Sequence, residues 1–80
     1  MTHHDINDLL MYSLTPLQLQ IDSTSTSGVT YLGKAAPSVA TSEAKWKIAK
    51  IDTNTGTTMK WADNGQFSQV WDDRVSLTYT

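Results

Sequence analysis

Apolar and polar positions alternate strictly over residues 17–22. Leu17, Leu19 and Ile21 take one parity, and Gln18, Gln20 and Asp22 take the other. A period of two marks a half-buried strand, and the apolar parity is expected to face inward. Residues 23–28 are Ser, Thr and Gly, a turn or loop composition. Val29-Thr30-Tyr31-Leu32 starts a second strand with Val29 and Tyr31 on one face, and Gly33 is expected to end it or bulge it. Residues 35–44 carry Pro37-Ser38 and read as a short crossover loop with a little helix. A third strand spans residues 45–52. Trp46 and Ile48 share a face there and Ile51 falls on the other, so either both faces are partly covered or a bulge shifts the phase.

Thr53-Asn54-Thr55-Gly56 is a hairpin turn, with Gly56 suited to a left-handed backbone. The fourth strand is residues 57–62. Two registers compete for this hairpin. Pairing Thr53 with Thr57 sets Lys50 opposite Lys60, and like charges opposite each other cost up to ~1 kcal/mol. Pairing Asp52 with Thr57 sets Lys50 opposite Met59 and Ile48 opposite Trp61, and is preferred on that ground. Asp63-Asn64-Gly65 is a strong turn signal. One irregular turn over residues 66–70 would bring Phe67 and Val70 inward. Residues 71–80 read as a last strand, with Trp71, Val75, Leu77 and Tyr79 on one parity and only Asp73 breaking it. The fold class is all-β: a small antiparallel sheet, barrel or sandwich of about five strands. It occupies residues 15–80 as one domain. Residues 1–14 differ. Ile6, Leu9, Leu10 and Leu14 recur at helical spacing before Pro16, which predicts a short amphipathic helix or an arm that orders on a neighbour.

Eighty residues bury only roughly 60% of the surface that the unfolded chain exposes. Small folds commonly offset a marginal core with disulfides, metal or association. Cysteine is absent, which removes disulfides and thiolate zinc sites and leaves association. The formal net charge is -2 and charged residues make up 18%, which argues against nucleic acid as a partner, because backbone binding needs a clustered basic surface. Lys45, Lys47, Lys50 and Lys60 concentrate in one hairpin and read as its solvated face. No apolar run approaches the ~20 residues of a membrane helix, and no basic region followed by an apolar stretch suggests a secretory signal. Serine and threonine number 20 of the 80 residues, a composition that suits strands and turns.

Candidate chemistry is sparse. His3-His4 is followed by Asp5, but adjacent side chains point apart and rarely share an ion, so a solvated terminus is the better reading. Glu43, Asp63, Asp72 and Asp73 supply carboxylates, yet an acid/base pair needs a fixed separation across a cleft. Asp63 reads as a turn residue, and Asp72 or Asp73 as the local partner of Arg74. Asp63-Asn64-Gly65 lacks the alternating ligands and closing glutamate of a calcium loop. The glycines are isolated, so no phosphate-cradling loop is expected. Trp46, Trp61 and Trp71 suit core or interface, with Trp46 and Trp61 on facing strands. Exposed, they would make a small carbohydrate- or protein-binding β module, the alternative reading.

Certain motifs carry a resemblance. They are Tyr31-Leu32-Gly33-Lys34-Ala35, Ala40-Thr41-Ser42 followed by Trp46-Lys47-Ile48, Trp61-Ala62-Asp63, and Phe67 with Val70-Trp71-Asp72-Asp73-Arg74 and Ser76-Leu77-Thr78-Tyr79. Over residues 29–80 the chain resembles a group of small structural proteins of tailed bacteriophages. In that group a glycine commonly follows Trp-Ala-Asp, and here Asn64 intervenes. The resemblance implies a non-enzymatic virion component: a capsid decoration or fibre piece, or a neck or tail protein. It implies no cofactor and no catalytic residue. Partners would be other virion proteins and copies of itself in a homo-oligomer, with neither nucleic acid nor membrane. The location would be the virion, and the host cytoplasm during assembly. Tyr31, Trp46, Trp61, Phe67, Trp71, Asp72, Asp73 and Arg74 are the expected structural or assembly residues, with Ile6, Leu9, Leu10 and Leu14 as arm contacts.

Overall fold

The computed structural model describes residues 17–80. The expected arm with Ile6, Leu9, Leu10 and Leu14, and the His3-His4 pair, lie outside the described residues. The fold is all-β, built on one antiparallel sheet. Strands β1 (Gln18–Asp22), β2 (Val29–Ala35), β3 (Ala44–Asp52) and β4 (Thr58–Trp61) follow in sequence order. A two-residue strand β5 (Gln69–Val70) pairs with the first residues of β3, across a bulge between Ala44 and Trp46. Gly33 does not end β2, which runs through to Ala35. The 35–44 connection forms turns and no helix.

The core lies on one face of this sheet. Val29, Tyr31 and Ala35 of β2 share it with Trp46 and Ile48 of β3. Trp71 completes the cluster, and Val39, Leu77 and Tyr79 pack against it. Gly33 lies on the same face, and a Cβ there would stand 2.4 Å from Cε3 of Trp71 and 3.2 Å from Cε3 of Trp46. The missing side chain is the seat of the Trp71 ring. The rings of Trp46 and Trp71 tilt against each other at 6.0 Å, and the Trp46 indole N–H donates to the Ala40 carbonyl at 2.9 Å.

Several expectations from the sequence are corrected. On β1 the inward parity is reversed: Leu17, Leu19 and Ile21 are exposed. Gln18, Gln20 and Asp22 pair with Ala35, Gly33 and Tyr31, and directly opposed residues share a face. Register therefore carries the polar set to the core side, where Gln18 and Asp22 find hydrogen bonds. Gln18 Nε2 donates to the carbonyls of Ala36 and Val39 at 3.0 and 2.9 Å.

The β3–β4 hairpin takes the register that sets Lys50 opposite Lys60. This register pairs Ala49 with Trp61 and Ile51 with Met59, and it brings the Ala62 N–H to the Ile48 carbonyl at 3.0 Å. The Lys50 ammonium lies over the Tyr79 ring, 5.8 Å from its centroid, which gives that charge a partner. Trp61 consequently stands on the face opposite Trp46 and Ile48, so Trp46 and Trp61 do not pack together. Phe67 is exposed, not inward.

Residues 71–80 do not form a strand. Trp71–Ser76 is a 3₁₀ helix. Only the end of the chain pairs, through a bridge between Tyr79 and Ala62 and hydrogen bonds between Thr80 and Trp61. Val75, expected inward, is exposed.

Candidate interaction surface

Two sets of residues stand out: a clamp that holds the C-terminal segment onto the core, and an open apolar face on the other side of the sheet.

The clamp is built mainly from residues 61–74. After Trp61 and Ala62 the chain reverses through Asp63, Asn64 and Gly65, all at positive φ (47°, 54° and 77°). Asp63 accepts a hydrogen bond from Ser68 Oγ across this turn. The chain then re-enters along β5 and drops Trp71 onto Gly33. Asp72 and Asp73 are exposed at the start of the 3₁₀ helix, where negative charge suits the free N–H groups. The Asp72 N–H donates to the Thr41 carbonyl at 3.1 Å. Arg74 reaches back over the Trp71 ring, its guanidinium carbon 4.6 Å from the centroid, and donates through Nη1 to the Trp71 carbonyl at 3.1 Å.

Arg74 does not pair with Asp72 or Asp73. Its Nε donates to Asp22 Oδ2 at 2.9 Å. Asp22 lies fifty-two residues away in sequence, and its other oxygen accepts from the N–H groups of Thr24 and Ser25 and from the Thr24 hydroxyl. Ser25, the Thr24 N–H and the Arg74 guanidinium together hold the Asp22 carboxyl well below the usual range, against a smaller opposing effect of desolvation. Tyr79 closes the same side. Its hydroxyl donates to the Arg74 carbonyl at 2.7 Å, and its ring lies 6.0 Å from that of Tyr31. Desolvation, with Tyr31 beside it, pushes the Tyr79 phenol up to about 12.

The other face of the sheet has no layer over it among the described residues. Its side chains fall into register rows. Ile21 pairs with Leu32, Leu32 with Ala49, and Ala49 with Trp61, so one apolar row crosses four strands. Beside it run Thr30, Ile51 and Met59. On the other side run Leu19, Lys34 and Lys47. Ile21 is 61% exposed and Met59 49%. Ala49 is buried beneath its taller neighbours and lies outside the core cluster.

The Lys47 ammonium lies over the rings of both Trp61 and Phe67, at 5.0 and 5.7 Å. Beyond it an open apolar hollow of about 350 Å³ is lined by Leu17, Ala36, Val39, Lys45 and Phe67. Of the candidate residues, Trp46, Trp71 and Tyr31 thus belong to the core, Asp72, Asp73 and Arg74 to the segment clamped over it, and Trp61 and Phe67 to the open face. The sequence reading missed Ile21, Leu32, Ile51 and Met59 as surface residues. The signal for them was that β2 and β3 carry apolar residues on both parities.

The four candidate carboxylates do not converge. Glu43 pairs with Lys45 at 3.7 Å on the surface. The polar groove of about 520 Å³ near residue 80 contains Asp63 as its sole side-chain carboxylate among the described lining residues. Among the described residues no helix is long and apolar enough to cross a membrane. No known protein family, curated protein or solved structure matches this chain.

Proposed function

We propose that this protein is a non-enzymatic structural component of a bacteriophage virion that acts through protein–protein assembly. The observation that carries the reading is the uncovered sheet face on which Leu19, Ile21 and Met59 stand exposed and Leu32 and Trp61 are half-buried. Exposed contiguous apolar patches of more than a few hundred Å² mark interaction sites. The motif resemblance over residues 29–80 supplies the setting: capsid decoration or fibre, neck or tail. Other virion proteins and copies of itself are the partners. Trp46 and Trp71 are fully engaged in the core, and Trp61 is capped by Lys47, which leaves the tryptophans poorly placed to stack sugars.

The test is immunogold labelling of purified particles of the phage that carries this sequence, alongside mass spectrometry of the same particles. Label at regular positions is the expected result. Absence of the protein from purified particles overturns the reading.

A further inference from the structure

We infer that the apolar hollow beside Phe67 is the seat of the chain's own N-terminal segment, residues 1–16. Ile6, Leu9, Leu10 and Leu14 supply the apolar contacts, and Asp5 and Asp8 the charged ones. The inference is independent of the virion setting and concerns one end of the open face.

The chain itself brings the segment to this place. Leu17 is one wall of the hollow and the first described residue, so residues 1–16 join at its rim. Leu14 precedes Leu17 by three residues, which span at most ~11 Å, so it stays near the hollow whatever the backbone does between them. A short tether also holds the segment at an effective concentration on the order of millimolar, an advantage over any untethered partner. Charge complements the connection. The open-face positions of the four strands include Lys34 and Lys47, directly opposed, and no carboxylate, because Asp22 and Asp52 take the core-side parity. Among the described residues the ion pairs are Lys45 with Glu43 and Arg74 with Asp22, so neither lysine of that row has a carboxylate partner there. Residues 1–16 carry Asp5 and Asp8 and neither Lys nor Arg. Spacing fits as well. At the helical spacing of Ile6, Leu9, Leu10 and Leu14, Asp5 and Asp8 lie ~5–6 Å apart. Directly opposed strand residues such as Lys34 and Lys47 are ~4.5–5.5 Å apart. Residues 5–14 at that spacing extend ~15 Å, and β1 to β3 span ~10 Å between strand axes. The segment therefore reaches from Leu17 to Lys45 and Phe67 and leaves the Ile21 and Met59 end of the face open.

The test is carbodiimide cross-linking of the full chain in dilute solution, in an equal mixture of isotope-labelled and unlabelled protein, read by peptide mass spectrometry. Amide links from Asp5 or Asp8 to Lys34, Lys45 or Lys47, each within a single isotopic chain, are expected. Leu9→Ser with Leu10→Ser is expected to lower their yield about tenfold or more, while Val75→Ser, exposed on the 3₁₀ helix, leaves it unchanged. Circular dichroism and tryptophan emission report whether each variant stays folded. Limited chymotrypsin digestion gives a second readout from the other side of the contact. Cleavage after Tyr12 is expected to be about tenfold faster in Lys34→Glu with Lys47→Glu than in the unsubstituted chain. Links of mixed isotope put the segment on a second copy and overturn the inference. So do links spread equally over Lys50 and Lys60 on the core-side parity, a yield indifferent to Leu9→Ser with Leu10→Ser, or cleavage indifferent to the lysine substitutions. The virion reading is untouched by any of these results, since the labelling of particles tests it separately.

Discussion

The two faces of the sheet are both apolar, but they are apolar in different ways. On the core face Trp46, Trp71, Tyr31 and Ile48 interlock around Gly33, and among the described residues no fully buried side-chain polar atom lacks a hydrogen-bond partner. On the open face the side chains stand in rows with nothing above them among the described residues. What separates the faces is shape and long-range bonding, not hydrophobicity. β1 makes the point most sharply: its aliphatic residues face outward, and its glutamines and aspartate face the core. Burying polar groups is tolerable when each is hydrogen-bonded, and Gln18 and Asp22 meet that condition.

The largest effect should come from removing the plug. Trp71→Ala is expected to destabilise the fold by about 3–5 kcal/mol, read by urea denaturation. That is a large share of the ~5–15 kcal/mol by which folded proteins exceed their unfolded states. Filling the seat comes next. Gly33→Val drives a side chain into the Trp71 ring and is expected to cost about 1–3 kcal/mol or more. In the double variant with Trp71→Ala much of that cost should vanish, because the two residues share one site. Additive losses would break the plug-and-seat picture.

The clamp should appear as a pH effect. Asp22 has a depressed folded value and an ordinary unfolded value near 3.8. Its contribution is therefore complete above that pH and is lost as pH falls below it toward the folded value. Melting temperature should drop over that acid window, and Asp22→Asn should be less stable at neutral pH with a flatter acid limb. Tyr79 works in the opposite direction. Its raised folded value, about 12 against 10.0 unfolded, adds stability that is full below pH 10 and is lost as pH rises through the folded value. Phenolate absorbance should show one tyrosine titrating late, and Tyr79→Phe should remove that phase. The smallest effect belongs to the open face. Ile21→Ser in dilute solution should change folding stability by no more than about 0.5 kcal/mol.

The sequence already carried the strands β2 and β3, the turn at Gly56 and the reversal at residues 63–65, because each depends on nearby residues alone. It did not carry the phase of β1. Alternation is the same whichever parity faces inward, and the deciding partner of Asp22 is Arg74, far along the chain. The hairpin register was misread because one like-charge pair was weighed against nothing. The competing gains from Ala49 with Trp61, Ile51 with Met59 and Lys50 over Tyr79 depend on the other face and on the C-terminus. The parity of Trp71, Val75, Leu77 and Tyr79 suggested a strand. The acidic pair Asp72-Asp73 followed by Arg74 is the charge order of a short helical segment, and it was the local signal available. Gly33 looked like a strand terminator, since no local rule reveals a ring that arrives from Trp71.

The most direct measurement is oxidative footprinting of the full chain in dilute solution. Met59 and Ile21 should label strongly, while Trp46 and Trp71 stay unlabelled. Labelling of Met59 and Ile21 as weak as that of the two core rings, or labelling of Trp46 and Trp71 on a par with Met59, would contradict the division into one closed face and one open face.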